Sequence, residues 1–236
     1  MYYVDMHIHC AELKDINKYR GEFILVCVSD DVETSNITLK LAEKYEHVKP
    51  CVGVHPWIAH KFTAEEIRGF LRGLTDRVQC LGEVGLDKKF KPDTFDKQLE
   101  IFRVFADHAR EYDMVLNLHA AGAWNEVFNL IYSRDVNKAY FHWYTGPVHL
   151  ADQITSVGYF IGANPAFMIQ EKHRLILDHI SLESVITESD SPYHYRGLNL
   201  TPELVEKVIL YLAEKKQLEY FKVKETVYSN YKKLFK

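Results

Sequence analysis

Residues 1–13 read MYYVDMHIHCAEL, and the fold turns on how this stretch is understood. Tyr2, Tyr3, Val4, Met6 and Ile8 have the composition of a strand covered on both faces. An open doubly wound sheet puts a glycine-rich turn after its first strand. Here the first strand runs instead into HIHCAEL, which has no glycine. Asp5, His7 and His9 are spaced by two, so in a strand their side chains share one side and Ile8 points to the other.

Seven further apolar runs follow the first, at residues 23–29 (FILVCVS), 51–55 (CVGVH), 78–87 (VQCLGEVGLD), 114–120 (MVLNLHA), 139–146 (AYFHWYTG), 158–165 (GYFIGANP) and 184–192 (SVITESDSP). The segments between them have helical spacing. Phe95, Leu99, Phe102, Ala106 and Ala109 recur at three and four residues and mark one apolar face. Thr201 followed by Pro202 predicts a capped helix start, with Leu204, Val205, Val208, Ile209 and Leu212 as its buried stripe. A last helix is expected over Val223 to Phe235. Strands alternating with helices predict a parallel sheet. Eight such units in 236 residues predict an α/β fold of the TIM (β/α)8 class, closed as one domain over residues 1–236. A doubly wound open sheet is the competing architecture.

Composition narrows the function. Apolar residues make up 47% and charged residues 26%, with a net charge of −4. That is no basic excess of the kind a sequence-blind nucleic-acid binder carries. No apolar run reaches the roughly 18 residues of a membrane span, and no secretory signal is expected at the start of the chain. Cys10, Cys27, Cys51 and Cys80 form no CxxC pair and read as buried free thiols, which predicts a reducing, cytoplasmic setting. A monomer is expected.

Ionisable residues recur at the C-terminal ends of the runs: His7 and His9, His55, Glu83 with Asp87 beyond it, His119, His142, and Asp190. In a closed barrel those ends converge on one face, where active sites of this fold lie. Glu83 sits in a run too apolar to bury a carboxylate unpaired. Histidines and carboxylates gathered at one point make a divalent metal site. Six ligands exceed one tetrahedral ion and suit two metals that share a carboxylate. Asp5 could orient one of the histidines. Glu188 and Asp190 lie two residues apart, so spacing does not say which of them is the ligand.

The ordered set DMHIH (5–9), GVHPW (53–57), LGEVGLD (81–87), LNLHA (116–120), FHWYTG (141–146), GYFIGANPAF (158–167), TESDSPY (187–193) and RGLNLTP (196–202) resembles the TatD family of metal-dependent deoxyribonucleases, within the amidohydrolase-type barrels. The closing ETVYSNYKKLF (225–235) is similar to that family's last helix. The resemblance implies a two-metal hydrolase. His7, His9, Glu83 and Asp190 would hold one cation, and Glu83 would bridge to a second held by His119 and His142. The match to TESDSPY favours Asp190 over Glu188. The ions would be Mg, Mn or Zn, and DNA the transient substrate, cut as by a 3′–5′ exonuclease on single strands. Asp190 is the expected general base. His55 and Arg196 are expected to bind phosphate, and Trp57, Trp143, Tyr144 or Tyr193 could stack a base. The chain departs from the family in lacking a basic residue after His119 and in a shorter loop from Asp190 to Arg196. A metal-dependent amidohydrolase and a small-molecule phosphoesterase on the same barrel are the alternatives.

Overall fold

A computed structural model describes residues 1–236. Eight strands lie in one parallel sheet in chain order: β1 (Tyr3–Ile8), β2 (Phe23–Cys27), β3 (Val48–Val52), β4 (Cys80–Gly85), β5 (Val115–His119), β6 (Ala139–Phe141), β7 (Phe160–Ala163) and β8 (Val185–Thr187). Every ladder from β1·β2 to β7·β8 is parallel. The sheet curls until its first and last strands meet. Asp190 N–H donates to His7 O at 2.8 Å and His9 N–H to Ser191 O at 2.9 Å. Lower on the same seam, Thr187 Oγ1 donates to Val4 O at 2.5 Å, and Ser189 N–H to Asp5 Oδ1 at 2.8 Å. The architecture is the TIM barrel expected from the alternation.

Around the strands run α1 (Val32–Lys44), α2 (Ala64–Arg72), α3 (Phe95–Glu111), α4 (Trp124–Tyr132), α5 (Val148–Ser156), α6 (Glu171–His179), α7 (Leu204–Lys216) and α8 (Tyr220–Leu234). Local sequence explains their starts. Asp31 and Thr34 form a reciprocal capping box for α1, and Thr63 and Glu66 one for α2. Of the α3 face expected from spacing, Phe102, Ala106 and Ala109 are buried and Phe95 and Leu99 partly so, and Ile101 and Phe105 widen the buried stripe. No helix is long and apolar enough to cross a membrane.

Two local expectations are corrected. Thr201 and Pro202 do not open α7. They form a lead-in turn in which Leu204 N–H donates to Thr201 O, and regular helix begins at Leu204. The flanking Glu203 turns away to accept from Lys18 Nζ at 2.8 Å and Tyr19 OH at 3.1 Å, which ties the loop after β1 to this helix. The second correction concerns the cysteines, which are not free. Cys10 pairs with Cys27 and Cys51 with Cys80, across Cα–Cα distances of 5.3 and 4.4 Å. Cys51 and Cys80 are register partners on neighbouring strands, which brings their side chains together. The pairing removes the ground on which a reducing compartment was expected.

Between β8 and α7 the chain makes a hairpin of β9 (His194–Tyr195) and β10 (Leu198–Asn199). Its two turn residues, Arg196 and Gly197, have φ of +47° and +88°. Left-handed backbone at both central positions is what a tight type I′ hairpin turn requires. The turn puts Arg196 at the exposed tip.

Candidate metal centre

The strand ends open into a cavity of about 410 Å³ lined by His9, His55, Glu83, His119, His142 and Asp190 among others, with His7 just beneath. Glu83 lies at the middle. Its carboxylate is within 3.3 Å of His7 Nε2, 3.6 Å of His9 Nε2, 3.4 Å of His55 Nε2 and 2.6 Å of His119 Nδ1. Asp190 Oδ1 faces the same two nitrogens of the HxH pair, at 3.7 Å from His7 and 3.4 Å from His9. His142 Nε2 reaches Asp190 Oδ2 at 3.9 Å, and its ring stacks on His7 with centroids 3.6 Å apart.

What orients these rings is a partner behind each one. Asn117 donates through Nδ2 to Met6 O at 2.8 Å, so its Oδ1, 2.8 Å from His7 Nδ1, must accept. His7 therefore carries its proton on Nδ1 and presents a bare Nε2, a fully buried atom without a hydrogen-bond partner despite its nearness to Glu83. His9 Nδ1 faces Asp30 at 3.3 Å, and His142 Nδ1 faces Glu188 at 3.0 Å. His119 Nε2 faces Asp87 at 3.0 Å, leaving Nδ1 beside Glu83. An acceptor holding the outer nitrogen fixes the tautomer of a metal-ligating histidine and raises its basicity. Four rings here share that arrangement. His55 has the opposite one. Its Nδ1 accepts from Trp57 N–H at 3.2 Å, so the proton sits on Nε2 and points into the cavity as a donor.

The outer carboxylates are well matched to this work. Glu188 is fully buried, and besides His142 it accepts from Tyr140 OH at 2.6 Å, Trp143 N–H at 2.9 Å and Asn164 Nδ2 at 3.2 Å. Burial works to raise its pKa, but His142 and then His7 and Tyr140 override it and hold the carboxyl at about 2. Asp87 is likewise buried yet held at about 2 by His119, Trp57 and the N–H of Phe90. Burial also pushes Glu83 up, and the electrostatic attraction of the surrounding His55 and His7 rings and the bond to His119 override it, so that carboxyl stays well below the usual range. His119, between Asp87 and Glu83, is raised to about 9 although burial alone would lower it. Burial lowers the His55 pKa, in keeping with a neutral donor.

A bare buried imidazole nitrogen, a central ionised carboxylate and four rings locked from behind fit a divalent cation site. His7, His9 and Glu83 form one close group of possible ligands, and Glu83 joins His55 and His119 in another. His142, expected beside His119, falls with His7 and Glu188. The tautomers separate the members: His142 can offer a lone pair inward and His55 cannot. Arg196 is not brought to the cavity and lies over the Tyr195 ring at 5.3 Å. Tyr144 is buried and bonded to Pro147 O, away from the cavity lining, whereas Trp57, Trp143 and Tyr193 do line it. Asp5 orients no histidine; it caps Ser189 N–H at the seam, and burial raises its pKa to about 7.

Asn117 and Asp30 are the residues that sequence reasoning left without a role, and Glu188 entered it only as an alternative ligand to Asp190. Asn117 precedes His119 by two, so the inward side of β5 marked it; the loop position of Asp30 carried no signal.

Comparison with known proteins places the chain among metal-dependent hydrolases. A family model described as TatD related DNase matches residues 4–236. A metal-dependent hydrolase of Methanocaldococcus jannaschii is 31% identical, over 99% of this chain and 97% of that protein. The Bacillus subtilis metal-dependent hydrolase YabD is 24% identical over 98% of both chains. Among solved structures, the TatD homolog YjjV of Escherichia coli superposes with a TM-score of 0.88 at 21% identity, over 99% of this chain and 97% of that one. A TatD family hydrolase of Entamoeba histolytica gives 0.80 at 17% identity, with 99% and 98% covered. The chain belongs to the TatD family of metal-dependent hydrolases.

Proposed function

We propose that the chain hydrolyses phosphodiester bonds, with single-stranded DNA trimmed from its 3′ end as the substrate. The arrangement of the rings carries the reading: four histidines each have one nitrogen held from behind and the other turned toward Glu83 or Asp190, and a fifth, His55, turns an N–H inward. As the family resemblance implies, His7, His9, Glu83 and Asp190 would hold one cation, and Glu83 and His119 a second, which His142 would join from its place beside His7. Two divalent ions, Mg, Mn or Zn, would supply positive charge for the phosphate oxygens and ease deprotonation of a water.

The chain's own groups do the rest. Asp190 accepts a proton from the attacking water. Its backbone, at φ +59°, is held by the N–H bond to His7 O, which aims the carboxylate at the HxH pair. His55 Nε2–H donates to a phosphate oxygen beside Glu83. Glu188, Asp87, Asp30 and Asn117 keep the rings from turning while charge develops. A substrate phosphate is drawn to this point rather than to the protein as a whole, which is mildly acidic.

The test is cleavage of 5′-labelled and 3′-labelled single-stranded oligonucleotides after EDTA treatment and readdition of Mg, Mn or Zn, with Glu83→Ala alongside. Metal-dependent laddering from the 3′ end, lost in the variant, is expected. Absence of cleavage with every metal, in protein that binds two ions, would move the assignment to a C–N or ester hydrolase.

A further inference from the structure

The cavity wall beside His142 is a fixed aromatic surface that the hydrolytic centre does not use. Trp143 has φ of +40°, left-handed backbone that a bulky residue adopts only when its surroundings impose it. Here they do. Its N–H donates to Glu188 Oε1 at 2.9 Å, and its indole Nε1–H to Gln170 Oε1 at 2.7 Å. Gln170 Nε2 in turn donates to Tyr195 OH at 3.1 Å. Tyr195 and Tyr193 meet the indole edge-on, at interplanar angles of 79° and 73°, so neither stacks flat upon it. Trp143, Gln170, Tyr193 and Tyr195 all line the cavity, on loops after β6, β7 and β8. Both donors of Trp143 are spent within the protein. What it has left to offer a ligand is its ring.

The charge of the cavity points the same way. Lys89 is the only lysine or arginine in its lining, against the carboxylates of Glu12, Asp30, Glu83 and Asp190. A ligand held along a polyanionic backbone needs several cations. This wall cannot supply them, so affinity beyond the reacting phosphate must come from elsewhere.

We infer that Trp143, clamped by Gln170 and Tyr195, is a stacking subsite for the nucleobase next to the scissile phosphate. This rests on the phosphodiesterase reading and names the part of the substrate recognised. Stacking without a free donor or acceptor on the shelf makes the subsite tolerant of base identity. Loss of the ring removes binding shared by ground and transition states, so it raises KM and spares kcat.

The experiment uses the dinucleotide d(ApA), d(TpT), and d(ApA) analogues lacking the 5′ or the 3′ base, cleaved by the native chain, Trp143→Ala and Trp143→Phe. Trp143→Ala is expected to raise KM for d(ApA) by about 5- to 150-fold, the range for removing one base–aromatic stack. It should have no effect on one of the two base-lacking analogues, and Trp143→Phe should fall between. d(TpT) should follow d(ApA) within a few-fold. In parallel, dAMP titrated into EDTA-treated protein should quench tryptophan emission, and quenching should vanish in Trp143→Phe although Trp57 and Trp124 remain. An unchanged ratio of KM between d(ApA) and both analogues, or undiminished quenching in Trp143→Phe, would overturn the subsite. If the native chain cleaves no phosphodiester at all, the hydrolytic reading fails, and the quenching experiment still decides the shelf. Trp143→Leu replaces Trp143→Ala should that variant not fold.

Discussion

Asn117 Oδ1 lies 2.8 Å from His7 Nδ1, and the same amide's Nδ2 donates to Met6 O on the strand that carries His7. One buried side chain on β5 thus sets both the position of β1 and the tautomer of its first histidine. Asn117→Ala would free the imidazole to protonate on either nitrogen and leave Met6 O without its donor. Metal affinity should fall by about 10- to 100-fold, the cost of losing such an outer partner. Isothermal titration with Mn measures this, and an unchanged Kd would show that His7 is not oriented by Asn117.

Gly162 on β7 has no side chain for a related reason. A Cβ there would stand 2.5 Å from both Glu188 Oε2 and Tyr140 OH, so Glu188 occupies the space a larger residue would need. Gly162→Ala should displace the carboxylate from His142. Overpacking costs stability of about 1–3 kcal/mol, and metal affinity should drop with it. Thermal melts and metal titration on one sample test this. A destabilised variant with native metal affinity would detach Glu188 from the centre.

His55 and His119 sit in one cluster with Glu83 but should respond differently to mutation. His119→Ala is expected to lower the number of metals bound. His55→Ala should leave that number at the native value while cutting the rate by about 10²-fold, as for loss of one donor to a developing charge. His55→Gln, which keeps a donor, should recover part of it. Metal counts by atomic absorption alongside rates separate the two roles.

The Glu203–Lys18 pair gives a pH dependence. Burial raises the Glu203 carboxyl, and bonds from Lys18, its own backbone and Thr201 together outweigh this and lower it to about 2. A carboxyl depressed on folding contributes stability that is complete above its unfolded value, near 4.3, and is lost as pH falls towards 2. Both side chains are about half exposed, at 52% and 54%, so solvent screening reduces the effect to that of a surface pair, about 0.2–1 kcal/mol. Glu203→Gln should lower stability by that amount at pH 7, and the difference should shrink as pH falls from the unfolded value through about 2, as read from urea denaturation. A difference that does not shrink over that range would exclude the pair as its cause.

Much of this was legible in the chain, and the part that was not has a physical cause. Apolar runs ending in His7, His9, Glu83, His119, His142 and Asp190 report themselves locally, because a barrel strand needs both features within about five residues. The partners behind the rings do not. His7 and Asn117 are separated by 110 positions and His142 and Glu188 by 46, and only strand order in the closed ring makes them neighbours. The same holds for Cys51 and Cys80, on adjacent strands in register but 29 residues apart. The position of Arg196 outside the cavity lining was not legible either, because its motif names a residue type while the turn geometry decides its direction.

The bond from Asp190 N–H to His7 O joins the beginning of the chain to a point 183 residues later. His7 and His9 leave the ribosome before Glu83, and the carboxylate opposite them follows Glu83 by 107 residues (190 − 83). Asn230 of α8, still later, donates to Leu182 O and Val185 O at the foot of the strand that leads to it. During synthesis the first histidines therefore wait without the residues that complete their site. Any cation captured by the nascent chain before Asp190 emerges would be held by a partial set, and the pocket becomes whole only once that later segment has been made.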